Sequence, residues 1–404
     1  MPELAQFASA AQAGSDAYKK GDYAAAEAAF RTALAHGPQR GAALFYVAAS
    51  AAHRDDTPAA LAFLNRYAAM GMHTDLDAEP AFAILEPLPG YAALKARLAA
   101  NAAPLCLCKT VFTGSRQPFI AEGLARDSGD GRLFVGGVHA RRILVIVNGI
   151  ASDFVTTLPQ GYSPFGMVAD DARKTLWVSA AAVAQGAGAT NAQQGHSALL
   201  AFDLSSGALR ATYPAPTDTK YALGDIALAS DGAVYLTDSL QSALFALRAG
   251  GKSLERIGPV KSFSSAQGIA ISKDGRTALI ADYEMGLLLV DLNSGVSRPV
   301  SVSSDQTTIG IDGLVRFGDG SFIATQNGLK SPRIVRLRLS ANWSKLTSLE
   351  VIAANAPQIA DMSLVTADGA GGVYTVGGSQ WASFDDGKPD AVRPLPAWSI
   401  VRLR

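Results

Sequence analysis

The sequence predicts a mainly β protein, a six-bladed β-propeller preceded by a small α-helical domain. Three observations predict it. Up to about residue 102 the apolar side chains recur at helical spacing, and from about residue 105 they alternate with period two between closely spaced Asp-Gly and Asn-Gly turns. A unit of that alternation then recurs six times. The expected division is residues 1–102 for the helical domain and 103–404 for the propeller.

The first hundred residues are alanine-rich and nearly free of β-branched runs, as in "AYKKGDYAAAEAAFRTALAHGP". Gly14, Ala17, Gly21, Tyr23, Ala26, Phe30, Ala33 and Pro38 fall at offsets that resemble a tetratricopeptide repeat: small residues where helices cross, an aromatic wedge and a terminating proline. A second segment of the same length and period follows, with Ala60 and Leu64 at signature positions, and then a shorter closing tail. Fewer than three full repeats do not bury their own core, so this tetratricopeptide-like domain is expected to cap its neighbour, with a protein-binding groove as the alternative.

The six units begin "FIAEGLARDSGDGRLFVGG", "YSPFGMVADDARKTLWVSA", "YALGDIALASDGAVYLTDS", "SSAQGIAISKDGRTALIADY", "TIGIDGLVRFGDGSFIATQN" and "QIADMSLVTADGAGGVYTVGG". Their anchors, Gly123, Gly166, Asp225, Gly268, Gly313 and Met362, are about 43 to 59 residues apart, the length of a four-stranded blade. The longest interval holds "AAAVAQGAGATNAQQGH", which reads as an inserted loop over one face. Either "CLCKTVFT", ahead of the first unit, or the terminal "WSIVRLR" is available to complete the last blade from the other end of the chain.

Composition narrows the function. With 49% hydrophobic and 17% charged residues the chain buries a large core, and 35 basic residues balance 35 acidic ones, leaving no field to draw nucleic acid. No apolar run reaches the ~20 residues of a membrane span. The start "MPELAQFASAAQ" has neither a basic region nor a long apolar one, so the expected compartment is cytoplasmic, or periplasmic where a leader has been removed. Cys106 and Cys108 sit two apart on one strand face and read as two buried thiols, with a local disulfide or a two-thiol metal site as alternatives.

In a propeller the start of each unit converges on the channel axis, which gathers Glu122, Phe165, Gly224 with Asp225, Gln267, Asp312 and Asp361. Carboxylates at close quarters repel unless neutralised. A hard divalent cation would neutralise them, and oxygen donors favour calcium over magnesium or zinc. The competing reading is a wet channel in which these groups bond neighbouring amides and water. Residues ending each second strand, His139, Asp238, Tyr283, Gln326, Asn327, Gln380 and Trp381, form a polar and aromatic rim suited to a ring-shaped polar ligand, although each alone also suits turn capping.

At these residues the chain resembles the gluconolactonase and regucalcin family of six-bladed propellers, with paraoxonases and strictosidine synthase as more distant relatives. The resemblance spans roughly residues 115 to 404 and rests on "AEGLARDSGDGRLFVGG", "AQGIAISKDGRTALIADY" and "IDGLVRFGDGSFIAT". It implies one divalent metal held by Glu122, Asp225, Gln267 and Asp312, which polarises a lactone carbonyl, with Asp312 as general base and Glu122 beside it. Gln267 stands where the family has asparagine, Gly224 where it has the other ligand asparagine, and Phe165 where paraoxonases place a histidine. The expected function is therefore metal-assisted hydrolysis of a lactone or similar cyclic ester; the alternative is a non-catalytic propeller acting as a ligand-binding or assembly module.

Overall fold

The computed structural model describes residues 2–259, 261–368 and 371–403. They form two compact units. One ends at Pro104 and also includes Ser301–Ile309; the other comprises Leu105–Val300 and Gly310–Arg404.

The first unit is built on helices α1 (Pro2–Lys19), α2 (Tyr23–His36), α3 (Gly41–His53), α4 (Thr57–Ala69) and α5 (Tyr91–Ala102). Asp22 and Asp56 accept from the amides of Ala25 and Ala59, satisfying donors that the first turns of α2 and α4 leave open. Connections of three or four residues fold α1 to α4 back on one another in turn, burying Ala26, Phe30, Ala33, Leu44 and Val47. Gly14 allows α1 to lie directly on Phe30: a Cβ there would stand 2.9 Å from the ring. Gly14→Val is therefore expected to lower stability by about 1–3 kcal/mol, the usual penalty for overfilling a packed site, read as a drop in melting temperature. Ser301–Ile309 is tied into this unit by Gln39, whose side-chain oxygen accepts from the Thr308 amide (2.7 Å) and hydroxyl (3.0 Å).

The second unit is a six-bladed propeller. Its inner strands are Ala121–Arg126, Ser163–Asp170, Leu223–Leu228, Ala266–Ile271, Leu314–Arg316 and Val365–Ala367, each the first of an antiparallel blade of four strands, with a fifth short strand added at the outer edge of blade 5. Aliphatic and aromatic side chains of adjacent blades fill the spaces between sheets, as with Phe134, Leu176 and Phe202 between blades 1 and 2, and Tyr221, Leu236 and Phe245 between blades 2 and 3. The last blade takes Ser399–Leu403 from the chain end and Cys108–Thr113, its outermost strand, from the start of the unit. Both candidate segments thus join the sixth sheet and close the ring. The Gly, Ala and Gln-rich stretch is a loop between the second and third strands of blade 2.

Cys106 and Cys108 are joined in a disulfide, which corrects the expectation of two thiols. Leu105–Cys106 pairs with the outer edge of blade 5 and Cys108–Thr113 with blade 6. The chain steps between sheets at Leu107, leaving the two Cα atoms 5.1 Å apart, within bridging range. Among the described residues no helix is long and apolar enough to cross a membrane.

Candidate functional site

Four of the six inner strands open with the same irregularity. Register shifts fall between Ala121 and Leu124, Pro164 and Met167, Leu223 and Ile226, and Ala266 and Ile269. Each is a bulge that turns one residue toward the axis and the next against the following blade. In blades 1, 2 and 4 that second residue is glycine, and in blade 5 Gly313 stands just ahead of the inner strand. A Cβ at Gly123 would collide with the Phe165 carbonyl oxygen, and one at Gly268 would come within 2.5 Å of the Asp312 oxygen, so close backbone approach demands glycine. The Gly268 amide indeed donates to the Asp312 carbonyl at 2.8 Å. Threonine hydroxyls on the second strands catch displaced amides, Thr325 taking that of Gly313 (2.9 Å) and Thr237 that of Asp225 (3.1 Å).

Blade 3 inverts the order. Gly224 holds the axial place and Asp225 the neighbour-facing one. Asp225 lies outside the cavity lining, within electrostatic reach of Asp312. Blade 6 is shifted as well. Val365 pairs with Thr375 and Ala367 with Val373, a register that places Ser363, not Asp361, level with Glu122 and Asp312. Counting back from the Asp-Gly pair selects Asp361, whereas the strand pairing puts the matching place two residues later.

One end of the channel holds a cavity of about 520 Å³ walled by blades 1, 4, 5 and 6. Of the residues singled out from sequence it collects Glu122, Gln267, Tyr283, Asp312, Asn327, Asp361 and Trp381. Met362, read from sequence only as a blade anchor, also lines it, as do Ser265, Pro332 and Ser363, which escaped the sequence reading. Ser265 was recoverable, since it lies two residues before Gln267 and period two puts both on one side.

The remaining rim residues turn into the fold. Asp238 is fully buried and accepts from the amides of Ala222 (2.6 Å) and Gln241 (2.7 Å); burial pushes its carboxyl up to about 6 against the pull of those amides. Gln326 is fully buried and accepts from Arg333 Nε at 2.8 Å. Gln380 ties the Phe119 and Ile120 amides to the Gln117 and Pro396 carbonyls. His139 Nδ1 meets the Gln185 carbonyl at 2.7 Å, and Phe165 does not reach the lining. In blade 4 the residue that ends the second strand, Asp282, accepts turn amides and in blade 5 Gln326 holds Arg333, while the next residue, Tyr283 or Asn327, faces the channel, because one step along a strand reverses the side.

The two central acids are held alike. Trp381 Nε1 donates to Glu122 Oε2 at 2.6 Å, and Asn327 Nδ2 donates to Asp312 Oδ2 at 2.7 Å while its own oxygen accepts from the Tyr283 hydroxyl at 3.1 Å. The other oxygen of each acid makes no hydrogen bond among the described residues. Burial drives the Glu122 carboxyl well above the ordinary range, and repulsion from Asp312, Asp225 and Asp361 adds to it, partly offset by Trp381. Burial also raises Asp312, with Asn327 opposing, and burial then Asp312 raise Asp225. Among the described residues no lysine or arginine lines the cavity.

These shifts have a definite sign in stability. Because the folded-state pKa values exceed those of the unfolded chain, the folded protein binds the protons more tightly, and stability falls as pH rises from the ordinary carboxylate range, about 4, through the raised values. In chelator, the melting temperature is expected to be higher at pH 5 than at pH 8, with a smaller difference in Asp312→Asn; an equal difference would remove Asp312 from the strained group.

Hard oxygen donors with uncompensated charge suit a divalent cation in kind. Among the described residues no three of histidine, cysteine, aspartate and glutamate cluster closely enough to hold a metal ion, so two carboxylates plus amide oxygens are the donor set available.

No protein-family model matches the sequence, and no curated protein does. Solved structures do share the architecture. A gluconolactonase from Xanthomonas campestris is 15% identical over 76% of this chain and 93% of that one, with a TM-score of 0.51. The calcium-binding protein regucalcin from Agrobacterium tumefaciens is 16% identical over 74% of this chain and 93% of its own, also at 0.51. A PQQ-bound aldose sugar dehydrogenase from Streptomyces coelicolor is 13% identical over 75% and 100%, at 0.52. Likenesses this remote establish the six-bladed fold and leave the chemistry to the site.

Proposed function

We propose that the protein hydrolyses a lactone or similar cyclic ester in the acidic cavity, assisted by a divalent cation, calcium before magnesium or zinc. The observation that carries this is the pair of buried acids, Glu122 and Asp312, each oriented by one neutral donor and left with one oxygen unbonded in a cavity without a cation. Glu122 and Asp312 would hold the ion, with the Gln267 amide completing the set. When bound, such an ion polarises a carbonyl and acidifies water. Asp312, with its raised pKa, accepts the proton of the attacking water as the new C–O bond forms. The ring C–O bond then breaks, and the proton passes to the leaving oxygen, giving a hydroxy acid. Tyr283 and Trp381 present aromatic faces and polar tips to a ring-shaped substrate.

Elemental analysis and a lactone panel, with and without chelator, test this reading. Chelator-sensitive turnover that Asp312→Ala loses supports it. Absence of bound metal together with no turnover above Asp312→Ala would sink it, and would favour the second reading, a ligand-binding propeller. That reading draws on the incomplete acid set and on Gly224 at an axial position.

Trp381→Phe is expected to remove the donor that holds Glu122, raising the pH at which the acidic limb of kcat/KM falls; an unchanged pH profile would count against this role. For the helical unit, the contact of Gly14 with Phe30 supports a tetratricopeptide-like module that binds an extended protein segment. A peptide library with no saturable binder for the full chain would remove that part.

A further inference from the structure

The other end of the channel is built differently. There the inner strands finish, and the turns leading into the second strands surround a second cavity of about 520 Å³, walled by blades 2 to 5. Its wall is aliphatic, with Val168, Ile226, Leu228 and Val315 only partly buried. Its charged lining is Arg173, Lys273 and Arg316 against a single acid, Asp170.

Asp170 is already engaged. It is buried, and it accepts from the Arg173 amide (3.0 Å) and guanidinium (3.1 Å), while Arg173 also reaches the Asp231 carbonyl at 2.8 Å. Arg173 is thereby neutralised and anchored. Lys273 and Arg316 have no carboxylate within ion-pair distance among the described residues. Arg316 is half-buried and lies over the Trp343 ring, 5.8 Å from its centroid, which holds the guanidinium without cancelling its charge. The result is an apolar pit with two uncompensated cations on its lining, the reverse in sign of the acidic cavity at the other mouth.

We propose that this second mouth binds an amphipathic monoanion, a carboxylate carried on an aliphatic chain or ring. The apolar body would replace water along Val168, Ile226, Leu228 and Val315, and the carboxylate would meet Lys273 and Arg316, the latter suited to bidentate contact. Charge complementarity selects this class: an anion without an apolar body leaves the wall wet, and a neutral ligand leaves the cations unused. The site is independent of the acidic cavity and does not rest on the hydrolase reading.

The test is calorimetric titration of the full-length protein with octanoate and with octanamide, which differ in charge at equal chain length. Octanoate is expected to bind at one site, at least tenfold more tightly than octanamide. The Lys273→Gln/Arg316→Gln variant, checked for an unchanged melting temperature, is expected to bind octanoate at least tenfold more weakly. Asp312→Asn should bind it as the wild type does. No saturable binding, equal binding of octanamide, or undiminished binding by the double variant would each overturn the proposal. So would loss of octanoate binding in Asp312→Asn, which would put the anion at the acidic mouth.

Discussion

Asp312→Asn is expected to lower kcat/KM for the best lactone by about 10²–10⁴-fold and at the same time to raise the melting temperature at pH 8. The first effect follows from losing a general base, whose usual contribution has that size. The second follows from the electrostatics of the cavity. The Asp312 charge repels both Glu122 and Asp225 and raises their carboxyls, so removing it relieves two other buried acids. Asparagine keeps the shape and an oxygen to accept from Asn327. A gain of about 1 kcal/mol would appear as a rise of roughly 2 °C for a unit of this size. Activity loss with increased stability is the signature of a group kept for chemistry rather than for the fold. Steady-state kinetics and thermal melts on one preparation read both; a variant that loses activity and stability together would recast Asp312 as structural.

Gly123→Ala is expected to be the most damaging single methyl in the propeller. The added Cβ would collide with the Phe165 carbonyl oxygen, a backbone atom fixed in the neighbouring inner strand that cannot rotate away as a side chain would. Relief requires blades 1 and 2 to separate at the axis, opening the packing of Phe134, Leu176 and Phe202 between them. The expected penalty is about 3 kcal/mol or more, at the upper end for overpacking. Thermal or urea denaturation measures it. Gly224→Ala is the control, because the nearest atom there is the Thr237 hydroxyl at 3.6 Å, an ordinary contact. Comparable losses for the two would refute the backbone-collision account.

Within the site, legibility followed the local signal. Glu122, Gln267 and Asp312 were readable because each precedes a glycine that lies six or seven residues ahead of an Asp-Gly turn. Asp361 was displaced by two residues because the strand pairing of blade 6 sets Ser363 level with Glu122, and the spacing of "TADGAGG" carries no sign of that register. Asp238, Gln326 and Gln380 carry the right chemistry for a rim but spend it on amides, carbonyls and Arg333 of their own surroundings, a choice made by which neighbour lies within hydrogen-bond distance. Trp381 and Asn327 were readable as polar rim residues; that they clamp Glu122 and Asp312 was not.

The sequence by itself determined the period change near residue 105, the six blades and the inserted loop in blade 2. These depend on side-chain alternation and turn residues a few positions apart, interactions the chain carries locally. Only the tertiary structure decided that Ser301–Ile309 groups with the helices, that Cys106 and Cys108 meet, that Asp225 faces aside while Gly224 faces the axis, and that the channel is acidic at one mouth and basic at the other. Each of these depends on distances between residues far apart in the chain or on the register of one strand against another. A one-residue shift in register reverses a side chain without altering the pattern that encodes the strand.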